Sequence, residues 1–131
     1  MRDFETLALP PEPSVVAPDG TLGRILLALK GGSLAHFTLP AGATSHAVKH
    51  RTVEEIWFFL SGRGEIWRAS DAGEDIVAVG PGMSLTIPLG TAFQFRALGG
   101  EALVFIAITM PPWPGDGEAF RVDGPWKAEL P

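Results

Sequence analysis

The chemistry open to this sequence is concentrated at His46, His50 and Glu55, where two of its three histidines fall close to a pair of adjacent carboxylates. Imidazole nitrogen and carboxylate oxygen are the side-chain donors that hold divalent metals when thiolates are absent. The chain has no cysteine, which removes disulfides, thiolate nucleophiles and Cys-based zinc sites. His46 and His50 share parity, so a regular strand points both to one face but separates them by about 13 Å, at ~3.3 Å per residue. Two imidazoles cannot share an ion across that gap when each bond is about 2.0–2.1 Å long. A turn or bulge in the weakly patterned residues 42–49 would bring His46 in as a ligand. Glu54 has parity opposite to Glu55, so the two adjacent carboxylates do not form an acid/base dyad. His36, between apolar neighbours in a strand-like run, is a satisfied structural histidine. No nucleophile elbow, phosphate loop or dinucleotide fingerprint is present.

The elements that must position these residues are strands. In 131 residues, 16 glycines and 12 prolines interrupt short apolar runs, the pattern of many strands joined by turns. The runs are residues 24–29, 33–39, 52–60, 65–69, 75–79, 84–87, 92–97 and 102–109, with a further short one at 14–16. That makes about nine strands and no helix, an all-β sandwich or barrel. Gly31-Gly32 and residues 98–101 read as hairpins, and after residues 61–64 the run 65–69 is expected to pair back on its predecessor. Trp57 and Phe59 share the parity of Glu55, and Phe93 alternates with Gln94 and Phe95 with Arg96. Residues 1–13 form a Pro-rich arm. Residues 111–131 form a Pro/Gly/Trp-rich tail pinned on the barrel by Trp113 and Trp126, or folded as a lid over its mouth. The whole chain, 1–131, reads as one domain, the length expected of one.

With a net charge of −5 and no cluster of Lys and Arg, the sequence offers no footprint for nucleic acid or an anionic membrane. The longest apolar run, 102–110, is far shorter than the roughly 20 residues of a membrane span. The N-terminus lacks the apolar core of a signal peptide. These features point to a soluble, cytoplasmic protein.

Two stretches carry a family likeness. Gly42, His50, Glu55 and Gly62 match a first pattern in which Gly, five residues, His-x-His, three or four residues, Glu, six residues and Gly follow one another. Gly82, Pro88 and Gly90 match a second, in which Gly, five residues, Pro-x-Gly, two residues, His, three residues and Asn follow. The chain thereby resembles a small single-domain cupin of the conserved-barrel type. The resemblance implies a double-stranded β-helix, the jelly-roll barrel, and a centre of three His and one Glu around a divalent ion. Here Val48 stands in the first His position, Phe93 in the third and Ala97 in the Asn position. What the resemblance then implies is a small molecule bound in an apolar barrel cavity lined by Val48, Trp57, Phe59, Phe93 and Phe95. Any divalent metal would be weakly held by His50 and Glu55, with His46 as a further candidate. The alternative is a metal-dependent enzyme of the oxygenase or isomerase class. A homodimer is expected from the same likeness and from the apolar runs 24–29 and 102–109.

Overall fold

The computed structural model describes residues 3–131. Eleven strands follow in chain order: β1 (Val15–Val16), β2 (Leu22–Leu29), β3 (Gly32–Leu39), β4 (Val48–His50), β5 (Glu54–Ser61), β6 (Arg63–Ser70), β7 (Gly73–Val79), β8 (Ser84–Ile87), β9 (Ala92–Leu98), β10 (Leu103–Met110) and β11 (Ala119–Arg121). They form two antiparallel sheets, ordered β1-β2-β3-β10-β5-β8 and β11-β4-β9-β6-β7. No helix among the described residues is long and apolar enough to cross a membrane.

The period-2 pattern of the sequence decides which side chains fill the space between the sheets. On β5, Glu55, Trp57 and Phe59 are buried while Glu54, Ile56, Phe58 and Leu60 are exposed. On β10, Leu103, Phe105, Ala107 and Thr109 alternate inward in the same way. On β9 it is Phe93, Phe95 and Ala97. Trp57 stacks on Phe105 with ring centres 4.2 Å apart, and meets Phe93 and Phe95 edge-on at 5.4 and 5.1 Å. Aromatic pairs in these geometries add to the free energy of area burial.

Two turns differ from the sequence expectation. Residues 61–64 do not return the chain onto its own sheet: β5 belongs to the six-stranded sheet and β6 to the five-stranded one. Residues 98–101 likewise carry the chain from β9 across to β10, which pairs with β3 and β5. Glycine marks a reversal, but the number of strands that must close the barrel decides which sheet receives the next strand. Gly62 shows why the residue is needed at such a crossing. Its φ is +82°, and a Cβ there would fall 2.0 Å from the carbonyl oxygen of Ala102. Gly31-Gly32, by contrast, does join a hairpin, β2 to β3.

Strands β4 and β11 were not legible in the sequence. Each has three residues, and they pair with one another, Val48 with Arg121 and His50 with Ala119. Strands this short are defined by a distant partner, not by local propensity.

Candidate functional site

His50 and Glu55 stand on either side of the short turn from β4 to β5, and both point between the sheets; each is only 7% exposed. The turn is held from the far end of the chain. The buried carboxylate of Glu118, in the tail, accepts hydrogen bonds from the Thr52 amide (2.7 Å), the Thr52 hydroxyl and the Val53 amide (3.2 Å). The Arg51 amide donates to the Glu118 carbonyl at 2.9 Å. Burial pushes the Glu118 carboxyl up, but the bonds from Thr52, Val53 and Arg51 outweigh it and hold the group below its ordinary range.

Glu55 uses both oxygens within the protein. Oε1 accepts from the Trp57 indole N–H at 3.0 Å, and Oε2 accepts from the Thr109 hydroxyl at 2.5 Å. Thr109 is its register partner across β10 and β5. His50 is in a different position. Its ring meets Phe93 and Trp113 edge-on, at 5.3 and 5.4 Å between centres. Its Nδ1 is buried with no hydrogen-bond partner among the described residues, and so is Nδ1 of His36 on β3, which corrects the sequence expectation of a satisfied histidine there. Trp113 belongs to the tail and is half-buried. Its amide donates to the Ser33 hydroxyl at 3.0 Å, which fixes the tail over this end of the barrel. The other tail tryptophan, Trp126, is anchored on the five-stranded sheet, where its amide donates to the Gln94 side chain and its carbonyl accepts from it.

His46 does not join this pair. Its amide donates to the Asp19 carbonyl at 2.8 Å, and its Nε2 accepts from the Arg121 guanidinium at 3.0 Å. Burial, and then the Arg121 charge, lower its pKa against the opposing pull of Asp19. An imidazole that accepts from a guanidinium is neutral at that nitrogen. Asp19 is a buried carboxylate that the sequence marks only as a turn residue. It accepts from the Thr21 amide (3.0 Å) and hydroxyl (2.6 Å), and burial raises its pKa against those bonds and the nearby His50 and His46.

The remaining residues singled out from the sequence, Val48, Trp57, Phe59, Phe93 and Phe95, all face the barrel interior, but they pack on one another. Phe105, at the centre of that cluster, was not among them. Two open cavities lie elsewhere. One of about 520 Å³ is bounded by Thr44, Arg96, Gly99 and Glu129, and one of about 440 Å³ by Arg68, Asp75 and Thr86.

A metal centre of the kind the resemblance implies does not fit these residues. Among the described residues no group of three or more His, Cys, Asp or Glu side chains converges as an ion would need. Val48 and Phe93, opposite each other on β4 and β9, present carbon where two imidazoles would be required. Glu55 accepts one hydrogen bond on each oxygen, from Trp57 and Thr109, so with His50 it offers a pair of donors and not a set of four.

The family model for the cupin domain matches residues 35–109. No curated protein matches the sequence. Solved structures share the fold at low identity. The capsular polysaccharide assembling protein CapF from Staphylococcus aureus is 17% identical over 82% of this chain and 33% of its own, with a TM-score of 0.66. Oxalate decarboxylase from Bacillus subtilis is 20% identical over 85% of this chain and 29% of its own, at 0.69. An uncharacterized conserved protein with a double-stranded β-helix domain from Klebsiella pneumoniae is 13% identical over 82% and 89%, at 0.65. This chain thus spans about a third of CapF and less of the decarboxylase.

Proposed function

The chain belongs to the cupin family, and on that premise we propose that it binds a small molecule at the barrel end occupied by His50, Glu55 and Trp113, without a tightly held metal ion. The observation that carries this reading is the buried, unpartnered Nδ1 of His50. An orphaned polar atom in a protein interior costs on the order of 1–3 kcal/mol, and a ligand group that hydrogen-bonds to it recovers that cost. The surrounding surfaces suit a small organic ligand, since binding sites pair apolar walls with a few polar groups. Phe93 and Trp113 supply the walls, and His50 supplies the free polar group.

Trp113 meets the His50 ring edge-on, so a ligand would reach the imidazole by displacing this side chain. A cytoplasmic location belongs to the same reading and is supported by the cysteine-free composition. The test is a thermal-shift screen of small organic compounds. Compounds that raise the melting temperature of the unmodified protein should lose that effect in His50→Ala. A hit list unchanged by His50→Ala would overturn the assignment of the site.

One arrangement favours a second reading, a metal-dependent enzyme of the oxygenase or isomerase class. His50 and Glu55 are both buried at one end of the barrel, in the family's ligand positions. That reading requires a donor beyond these two, and metal content separates the alternatives.

A further inference from the structure

His36 is a buried histidine on the wrong side of its strand. Phe37 and Leu39 of β3 pack on the core, so His36, of opposite parity, lies on the outer face of the six-stranded sheet. Register sets it in one row with Arg24 of β2, Ile106 of β10 and Phe58 of β5. Phe58 in that row is exposed, yet His36 is only 8% exposed, and its Nδ1 has no hydrogen-bond partner among the described residues.

The segment tied down beside it is an N-terminal strap, residues 10–14. Arg24 grips the strap, donating from Nε to the Pro10 carbonyl (2.8 Å) and from Nη2 to the Pro11 carbonyl (3.0 Å). Ser14 fastens the other end to β2. Its amide donates to the Gly23 carbonyl at 2.9 Å, and its hydroxyl accepts from the Ile25 amide at 3.3 Å. Ahead of the strap, residues 3–9 are exposed throughout. A terminal segment held by a few bonds opens at a free energy far below that of global unfolding.

The charge that faces His36 is Arg24. Ile106 and Phe58 on its other side carry none, nor do Leu34 and Thr38, two residues away on β3, and the strap's own acid, Glu12, is exposed. A proton on this imidazole makes both ring nitrogens donors. It leaves Nδ1 a buried donor without an acceptor, and it sets a second positive charge beside the guanidinium. Burial, and then Arg24, hold the pKa below 6.5 against a backbone bond. Lifting the strap lets water reach the ring and relaxes both penalties.

We propose that His36 and Arg24 form a proton-driven latch: the strap closes over the neutral imidazole and is released when the imidazole is protonated, which frees the arm that carries Phe4, Leu7 and Leu9. The open form takes up its proton at a higher pH than the closed form, so acid favours opening. Below about pH 6.5 the ratio of open to closed strap should rise by up to about tenfold per pH unit, until the closed form is protonated as well.

The chain has no cysteine, so a nitroxide on Glu12→Cys reports the strap alone through its mobility. The label should move slowly at about pH 7.5 and show a growing fast fraction from about pH 6.5 down to 5. His36→Gln should erase that pH dependence, and Arg24→Gln should give fast motion across the whole range. Nuclear magnetic resonance titration of the His36 ring in the unlabelled, unmodified protein keeps the test independent of the variants. Its midpoint should lie below 6.5 and coincide with the strap transition. A label signal that does not change over this range overturns the latch. So does a transition that survives in His36→Gln or departs from the His36 midpoint, and a strap that stays slow in Arg24→Gln overturns the part given to Arg24.

Discussion

Val48 and Phe93 face each other across β4 and β9, each 1% exposed. The family pattern puts an imidazole at both positions, so this pair replaces two metal donors with a packed apolar contact. Phe93 also touches Trp57, Phe95 and His50 through its ring. Truncation to Ala should destabilise the protein by about 3–5 kcal/mol, the usual cost of emptying a buried phenylalanine site. Denaturant unfolding of Phe93→Ala measures this, and a loss below ~1 kcal/mol would contradict the packing described.

If ligand count is what limits metal affinity, restoring the imidazoles should restore it. Val48→His with Phe93→His is expected to bind a divalent ion in calorimetric titration where the unmodified protein gives no comparable heat. His50→Ala in that background should abolish the binding. Failure of the double variant to bind, in a protein that still melts cooperatively, would show that ligand count is not what sets the affinity.

The Glu118 clamp makes its own prediction. Its carboxylate is held below its ordinary 4.5 by the Thr52, Val53 and Arg51 bonds, against the opposing effect of burial. A depressed acid contributes stability that is complete above its unfolded value and is lost as pH falls through the folded one. Melting temperature should therefore drop below about pH 4.5, and Glu118→Gln should flatten that decline. Glu118→Ala should cost about 2–4 kcal/mol at neutral pH, since it leaves two amides and a hydroxyl unpaired.

His36 titrates in a higher window. Burial, and then the Arg24 charge, hold its pKa below 6.5, with a backbone bond opposing. The unfolded chain takes up the proton first, so stability is complete above about pH 6.5 and declines as pH falls below it. His36→Gln should remove part of the decline that sets in below pH 6.5, leaving the Glu118 contribution unchanged. A decline of the same steepness in His36→Gln would contradict this.

Much of the fold was legible because strand parity and Gly/Pro punctuation are local signals. Alternation groups Glu55, Trp57 and Phe59 on one face of β5 and Phe93 with Phe95 on one face of β9, and the family resemblance, with Glu55 and Phe93 in ligand positions, says that these faces turn inward. The spacing from Gly42 through Glu55 to Gly62 located the barrel end that holds His50. What could not be read depends on distant contacts. Glu118 meets Thr52 across 66 residues, and Thr109 meets Glu55 across 54. Trp113 was legible as a tail residue that anchors or covers, but not as the neighbour of His50. The sheet crossings at Gly62 and at residues 98–101 escaped for the same reason, since a glycine fixes a reversal and not its destination.

Metal content tests the central reading most directly. The unmodified protein, dialysed against a mild chelator, should retain far less than one divalent ion per chain by elemental analysis. His50 and Glu55 alone give two donors, against the three or four of stable protein sites. Near-stoichiometric retained metal would contradict the reading, require a further donor beside His50, and move the enzymatic alternative into first place.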